Sequence, residues 1–255
     1  MPNYVSTQLD VSGPRAQVLA FVEKAKSAAT EAKPATSLTF ESFIPMPAEL
    51  RIEESSTGSF GYDLFVLKKP ELLTGRWAEG SGATTLEGLQ LWADLEQPQA
   101  RRLGEAYAHN EELHGHRTWY GWAVANWGTK WDASSVSVPD VLESGESASV
   151  SYFFDTAWSP CEPVIEAMSE QFPELAFRAT FYEESNSFYY EGVWPEGVKV
   201  EHTELERDAD DDDDEEDEDV ESGSLTAQAE SDLAAILTVE SAEAGSADAE
   251  QGEYA

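Results

Sequence analysis

The chain is short of positive charge, of cysteine and of long apolar runs. It has 255 residues, with 15 Lys and Arg against 51 Asp and Glu and a formal net charge of −36 at pH 7. A surplus of this size repels nucleic acid, phospholipid and other polyanions. It argues against direct nucleic-acid or membrane-surface binding and favours a cationic partner. The one cysteine, Cys161, excludes a disulfide within the monomer, in keeping with a reducing cytoplasm. The start, Met1-Pro2-Asn3-Tyr4, lacks a basic segment followed by an apolar run, so no signal peptide is expected. No stretch approaches the ~18 uninterrupted apolar residues of a membrane span. Catalytic signatures are missing as well: there is no Gly-x-Ser-x-Gly, Walker phosphate loop, Gly-x-Gly-x-x-Gly after a strand, or His-Glu-x-x-His. His109, His114 and His116 are loosely spaced without an accompanying cysteine and read as surface histidines. Neither a metal nor a cofactor is expected.

The charge that is present is unevenly placed. Residues 208–255 hold 19 acids and no base, and Asp210, Asp211, Asp212, Asp213 and Asp214 open a run of ten consecutive carboxylates. All eight Trp precede residue 195, and the only aromatic residue after 206 is Tyr254. Residues 1–205 therefore carry the core, while 206–255 read as a disordered acidic tail. Its first part, 206–224, is stretched by self-repulsion. Leu225, Ala229, Leu233, Ile236 and Leu237 fall roughly on one helical face within 225–239. Four turns alone are marginal in water, so that helix would form on a partner or not at all. A surplus of surface carboxylates is also what salt adaptation produces.

Within 1–205 the patterns alternate between sheet and helix. Tyr4 to Val11 reads as a strand, with Val5, Thr7, Leu9 and Val11 on one face. Pro14 opens a helix over 14–29. Leu38 to Ile44 reads as a second strand, closed by Pro45-Met46-Pro47, and residues 48–75 read as irregular. Helices are expected over Thr84–Ala93, Gln97–Ala108 and about Glu111–Asn126. Ser147 to Phe154 is a strand. Ser159-Pro160-Cys161-Glu162 then starts a helix to about Gln171, with Ser159 as its cap and Glu162 completing a capping box. Cys161 at that helix start would have a lowered thiol pKa. Leu175–Tyr182 and Ser187–Trp194 form a hairpin about Ser185-Asn186. Two βαβ halves give an α+β, ferredoxin-like split βαβ sandwich, with a helical insertion at about 48–146 between the halves.

Four segments together carry a family resemblance. They are Met1-Pro2-Asn3-Tyr4 through Leu9-Asp10-Val11-Ser12-Gly13, Ile44 to Leu50, Asn126-Trp127-Gly128-Thr129-Lys130-Trp131-Asp132-Ala133, and Phe154 to Pro160 with Glu162-Pro163. Over residues 1–195 the chain resembles the YubB-type family of phage and plasmid proteins, which has a ferredoxin-like domain. The resemblance implies a mobile-element origin and an intracellular setting, and it implies no activity. Tyr4-Val5 stands where the family has a Trp-Cys pair, and Thr7 where it has an Asn. The acidic tail is outside the resemblance.

Two functional readings follow. In the first, the chain is a non-enzymatic acidic interaction protein, with carboxylates standing in for phosphates on a DNA-binding surface of a basic host protein. Glu53, Glu54, Asp63, Glu183, Glu184 and the Asp210–Asp214 run are the expected contributors. In the second, Asn126, Trp127, Lys130, Trp131, Asp132, Asp155 and Trp158 form a small-ligand or catalytic cleft with Lys130 paired to Asp132 or Asp155. The competing structural role for the same residues is a buried corner that plugs the sheet against the insertion.

Overall fold

The structure, a computed structural model, describes residues 3–29, 34–183, 185, 188–195 and 199–205. The expected tail at 206–255 with its helix at 225–239, Glu184, and Asp210 to Asp214 lie outside the described residues.

The sheet is built around β1 (Tyr4–Pro14), whose Val5, Leu9 and Val11 are fully buried on one face. β1 pairs antiparallel with both β3 (Ser147–Ala157) and β4 (Ala176–Glu183), placing Leu9 opposite Tyr152 and Ala179. β2 (Val141–Ser144) lies outside β3, while β5 (Tyr189–Trp194) and β6 (Glu201–Glu204) continue beyond β4. The order is β2-β3-β1-β4-β5-β6. With α1 (Arg15–Ala25) after β1 and α7 (Glu162–Gln171) after β3, the strands β2-β3-β1-β4 form a ferredoxin-like split βαβ sheet. β5 and β6 widen it.

One face of the sheet is covered. Val18, Phe21 and Ala25 of α1 and Val164, Ile165 and Met168 of α7 share a core with the inward residues of β1, β3 and β4. Phe21 is central to it, with the rings of Phe43, Tyr152, Phe172 and Phe177 all within 6.0 Å of its own. Each such side chain contributes about 1.5–3 kcal/mol by leaving water.

The crossover from α1 to β2 holds the insertion: α2 (Ser56–Gly61), a wider helical turn at Tyr62–Val66, α3 (Arg76–Ser81), α4 (Leu86–Glu96), α5 (Pro98–His114) and α6 (Trp119–Trp127). It has its own small core of Phe60, Leu64, Leu89, Ala93 and Ala100, with Trp77 stacked on Phe60 at 4.3 Å. α4 and α5 are the helices expected at 84–93 and 97–108. The third expected helix is two: α5 runs on to His114, where left-handed Gly115 closes it, and α6 starts afresh at Trp119.

Three local expectations are corrected. Leu38–Ile44 is not a strand. Phe40–Ser42 is a tight turn, because the Phe40 N–H that a partner strand would engage donates to Asp132 instead, at 2.7 Å. The second strand is β2, four residues with three exposed, too short and too polar to announce itself. Residues 48–75 are partly helical rather than irregular, despite Gly58 and Gly61. A Cβ on Gly58 would lie 2.3 Å from the Tyr107 hydroxyl, and one on Gly61 1.7 Å from the Ala100 carbonyl, so packing against α5 demands glycine where helix propensity disfavours it. Finally, Ser159 does not cap α7. Its hydroxyl donates to the Gly128 carbonyl at 2.6 Å, and Cys161 takes the cap position.

The Gly61 contact is mutual, since a Cβ on Gly104 would lie 2.3 Å from the Gly61 carbonyl carbon. Gly61→Ala is expected to destabilise the domain by about 3 kcal/mol in urea unfolding, as backbone rather than a flexible side chain must give way. Gly80→Ala, which meets nothing within 4 Å, serves as the control and should be neutral or stabilising.

Candidate functional site

The two Trp-bearing motifs meet where α6 returns to the sheet. Gly128 ends α6 in the left-handed conformation (φ 77°), and a Cβ there would lie 2.8 Å from Pro163 and 2.9 Å from the Pro160 carbonyl. Buried Thr129 donates to the Ala157 carbonyl at 2.9 Å and accepts from the Ala157 N–H at 3.2 Å. Thr156 in turn donates to the Ser159 carbonyl at 2.9 Å. Small and hydroxylated residues at these positions let two backbones lie against each other with their polar groups satisfied.

Three of the expected site residues are committed to this corner. Trp127 is buried, its indole N–H donating to the Ile44 carbonyl at 2.9 Å and its ring packed on Trp122 and Phe40. Asp132 accepts from the Thr39 hydroxyl at 2.6 Å and from the N–H groups of Phe40 and Ala133 at 2.7 and 2.9 Å. Asn126 donates to the Trp122 carbonyl at 2.9 Å. These contacts match the structural role.

Lys130, Trp131 and Trp158 differ. Trp131 and Trp158 are 41% and 48% exposed, and their rings stack 6.3 Å apart at 29°. The Lys130 ammonium lies 4.5 Å from the Trp131 ring, 4.8 Å from Trp158 and 5.4 Å from Tyr120. Among the described residues it makes no ion pair, so neither the Asp132 nor the Asp155 partnership forms; three ring faces hold the cation instead. Trp158 has φ 66°, a left-handed backbone costing about 1–3 kcal/mol in a bulky residue. Its N–H donates to the Asn3 carbonyl at 3.0 Å, which helps hold it there.

Two grooves flank the corner. One, of about 420 Å³, is lined by Trp119, Lys130, Trp131 and Asp132 together with Glu41, Arg51 and Glu53. The other, of about 370 Å³, lies on the sheet and is lined by Ser6, Gln8, Phe153, Asp155, Thr180 and Tyr182 among others. Asp155 belongs to the sheet groove and accepts from the Ser6 hydroxyl at 2.9 Å. The expected set is thus divided between two surfaces.

The expected acidic contributors are also divided. Glu53 and Glu54 are exposed, Glu54 accepting from the Thr118 hydroxyl. Asp63 is paired with Lys69 at 2.9 Å. Glu183 corrects the expectation: it is 3% exposed and its carboxylate accepts from the Ser185 N–H and hydroxyl, at 2.9 and 2.6 Å, so it is withdrawn from the surface. It lies at the end of β4 with the parity of the inward residues Phe177, Ala179 and Phe181.

Cys161 requires a further correction. It is fully buried, and burial pushes the thiol up rather than down, with Glu162 and Asp132 adding to the effect. Burial pushes Tyr152 up to about 12. Tyr190 is raised by burial and by the Glu162 carboxylate, which accepts its hydroxyl and also the Lys199 ammonium at 2.7 Å. Among the described residues no three His, Cys, Asp or Glu gather as metal ligands, and no helix is long and apolar enough to cross a membrane.

The sheet order and the corner now stand beside known proteins. Residues 126–225 match the family model of the ferredoxin-like domain in Api92-like protein. The match begins at the end of α6 and takes in β2 to β6. The crystal structure of a protein Api92 from Yersinia pseudotuberculosis is similar with a TM-score of 0.39 and 12% identity, over 82% of this chain and 99% of that one. No curated protein matches.

Two features escaped the sequence reading. Tyr120 belongs to the Lys130 cluster although ten residues separate them. The sheet groove was readable in principle, because Ser6, Gln8, Phe153, Asp155, Thr180 and Tyr182 all have the outward parity of their strands.

Asp132→Asn should cost about 2–3 kcal/mol in urea unfolding by weakening bonds to a charged acceptor, whereas Lys130→Ala should stay within about 1 kcal/mol of the parent. The raised thiol and phenols make stability fall at alkaline pH. In the unfolded chain they ionise near their ordinary values of 9.0 and 10.0, while the folded protein keeps the protons. Stability contributed by these groups is therefore complete below pH 9 and lost as pH rises through 9 to 12. Cys161→Ala should flatten the early part of that fall in pH-dependent melting.

Proposed function

We propose that this protein is a non-enzymatic interaction protein that presents carboxylates to a basic, nucleic-acid-binding protein of a host cell. The observation that carries the reading is the disposition of the few bases. Arg15, Lys26, Arg51, Lys69, Arg101, Arg117, Arg178 and Lys199 are each held in an ion pair with one of the chain's own acids. Lys24, Arg76 and Lys130 lie over aromatic rings. Most of the described cations are thus engaged locally, with Lys68 and Arg102 exposed outside these pairs, and many of the surplus carboxylates face solvent. Such a field accelerates encounter with a cationic surface and opposes polyanions.

The resemblance to the YubB-type family supports a phage or plasmid origin and a host-cytoplasmic setting. In that setting, a compact acidic protein that occupies a DNA-binding surface would act as a DNA mimic against a defence or DNA-processing protein. A small-ligand reading retains the groove beside Lys130 and Trp131. It loses Asp155 to the other groove and Asp132 to the fold, so neither of the expected partners is paired with Lys130 among the described residues.

The test is capture from host lysate by the full chain and by residues 1–205, washed at low and high salt, with the retained proteins identified. A nucleic-acid-binding protein should be held at low salt, released at high salt, held more weakly by the truncated form, and displaced by duplex DNA. Retention of no basic protein, or retention that duplex DNA leaves untouched, overturns the proposal.

A further inference from the structure

Among the described residues the helices cover one face of the sheet and leave the other open. On the open face the register forms rows across the strands. Asp155, Ser6, Tyr182 and Tyr189 make one row; Phe153, Gln8, Thr180 and Glu191 make the next. Neighbouring strands are about 4.8 Å apart and successive same-face residues about 6.8 Å, so Asp155 sits with Phe153 beside it and Tyr182 two strands away. These residues line the sheet groove of about 370 Å³. Phe153 is 50% exposed on this face.

The charge on this face has one sign to spare. Arg178 is held by Glu191 at 3.1 Å. Asp10 accepts from Ser151 and Gln8, at 2.5 and 3.0 Å. Asp155 accepts from Ser6 at one oxygen, and among the described residues no donor meets the other. Ser135, on the groove's rim, has φ 53°, a second non-glycine residue held left-handed beside these surfaces.

We infer that this groove receives an arginine side chain from an extended segment of a basic protein partner. The inference rests on the interaction reading above and names its surface. A guanidinium is planar, donates in a fork to a carboxylate and stacks on aromatic rings. The groove offers a carboxylate with an open oxygen, a half-exposed Phe153 beside it and Tyr182 across from it. A lysine ammonium meets the same carboxylate as a point charge but gains less from the rings. Single-stranded nucleic acid also stacks on aromatic sheet faces, but here its phosphates would meet Asp10, Asp155 and Glu191.

The experiment uses the full chain and two labelled peptides of equal charge, one alternating Arg with Ser and one alternating Lys with Ser, with binding followed by anisotropy. The acidic tail attracts both alike, so the difference between them reports the groove. The Arg peptide should bind about tenfold tighter than the Lys peptide. Asp155→Asn and Phe153→Ser, each shown by melting to remain folded, should erase that preference. Glu105→Gln, on the exposed surface of α5, should leave it intact. Equal, salt-dependent binding of both peptides overturns the arginine site while sparing the interaction reading. Failure of both peptides to bind overturns the site and removes the electrostatic basis of that reading. An Arg preference that survives Asp155→Asn overturns the site. So does tight binding of a single-stranded oligonucleotide that Phe153→Ser abolishes, which would assign the face to nucleic acid.

Discussion

The structure depends on β1 being a central strand with two long antiparallel neighbours. Its eleven residues are paired with β3 throughout and with β4 over most of their length. That fixes which residues face the helices, because side chains alternate and a slip of one residue on either side would put Val5, Leu9 and Val11 in water. The parity that buries Leu9, Tyr152 and Phe177 equally sends Gln8, Phe153 and Arg178 to the open face. The core and the open surface are therefore two results of one register.

The second constraint is the closure of a long excursion. Between α1 and β2 the chain leaves the sheet, forms a helical unit with its own apolar cluster and returns. Such an excursion keeps its entropy unless its exit is fixed. Gly128 and Thr129 provide that fixing by lying against Ala157, Ser159 and Pro163, and Asp132 fixes the entry side by holding Thr39 and Phe40. One carboxylate thus joins residues 93 positions apart. At these motifs two backbones approach closely, a packing demand that Gly128 and Thr129 meet.

This also accounts for what the sequence disclosed. Strands β1, β3, β4 and β5 and helices α1, α4, α5 and α7 follow from periodicity, because each has one buried face. β2 and β6 do not, since a short edge strand such as Val-Leu-Glu-Ser has no apolar alternation to read. The Leu38–Ile44 segment misleads for the converse reason: Leu38, Phe40 and Phe43 are all buried, but in a turn whose hydrogen-bond partner lies in a distant loop. In α2, glycines that read as breakers are required by contact with α5. At the corner, the choice of residues was legible and their roles were not. Trp127 and Trp131 have the same composition around them, and only the fold separates the buried ring from the exposed one.

A net charge of −36 attracts cations of every kind, and a field of that range cannot distinguish one basic surface from another. Discrimination must come from groups whose positions the fold fixes. Ion pairing within the chain bears on this directly. Each Lys or Arg that neutralises a nearby acid, as Arg178 does Glu191, removes one carboxylate from those that a partner can engage. Those that remain are selected by the register and the corner rather than by composition. On the open face, the register leaves Asp155 beside Phe153. At the corner, Trp158 is held left-handed with its N–H on the Asn3 carbonyl, and its half-exposed indole is stacked on Trp131. On the proposed reading, long-range charge would govern how often partners meet, and a few fixed aromatic and acidic side chains would govern which encounters last.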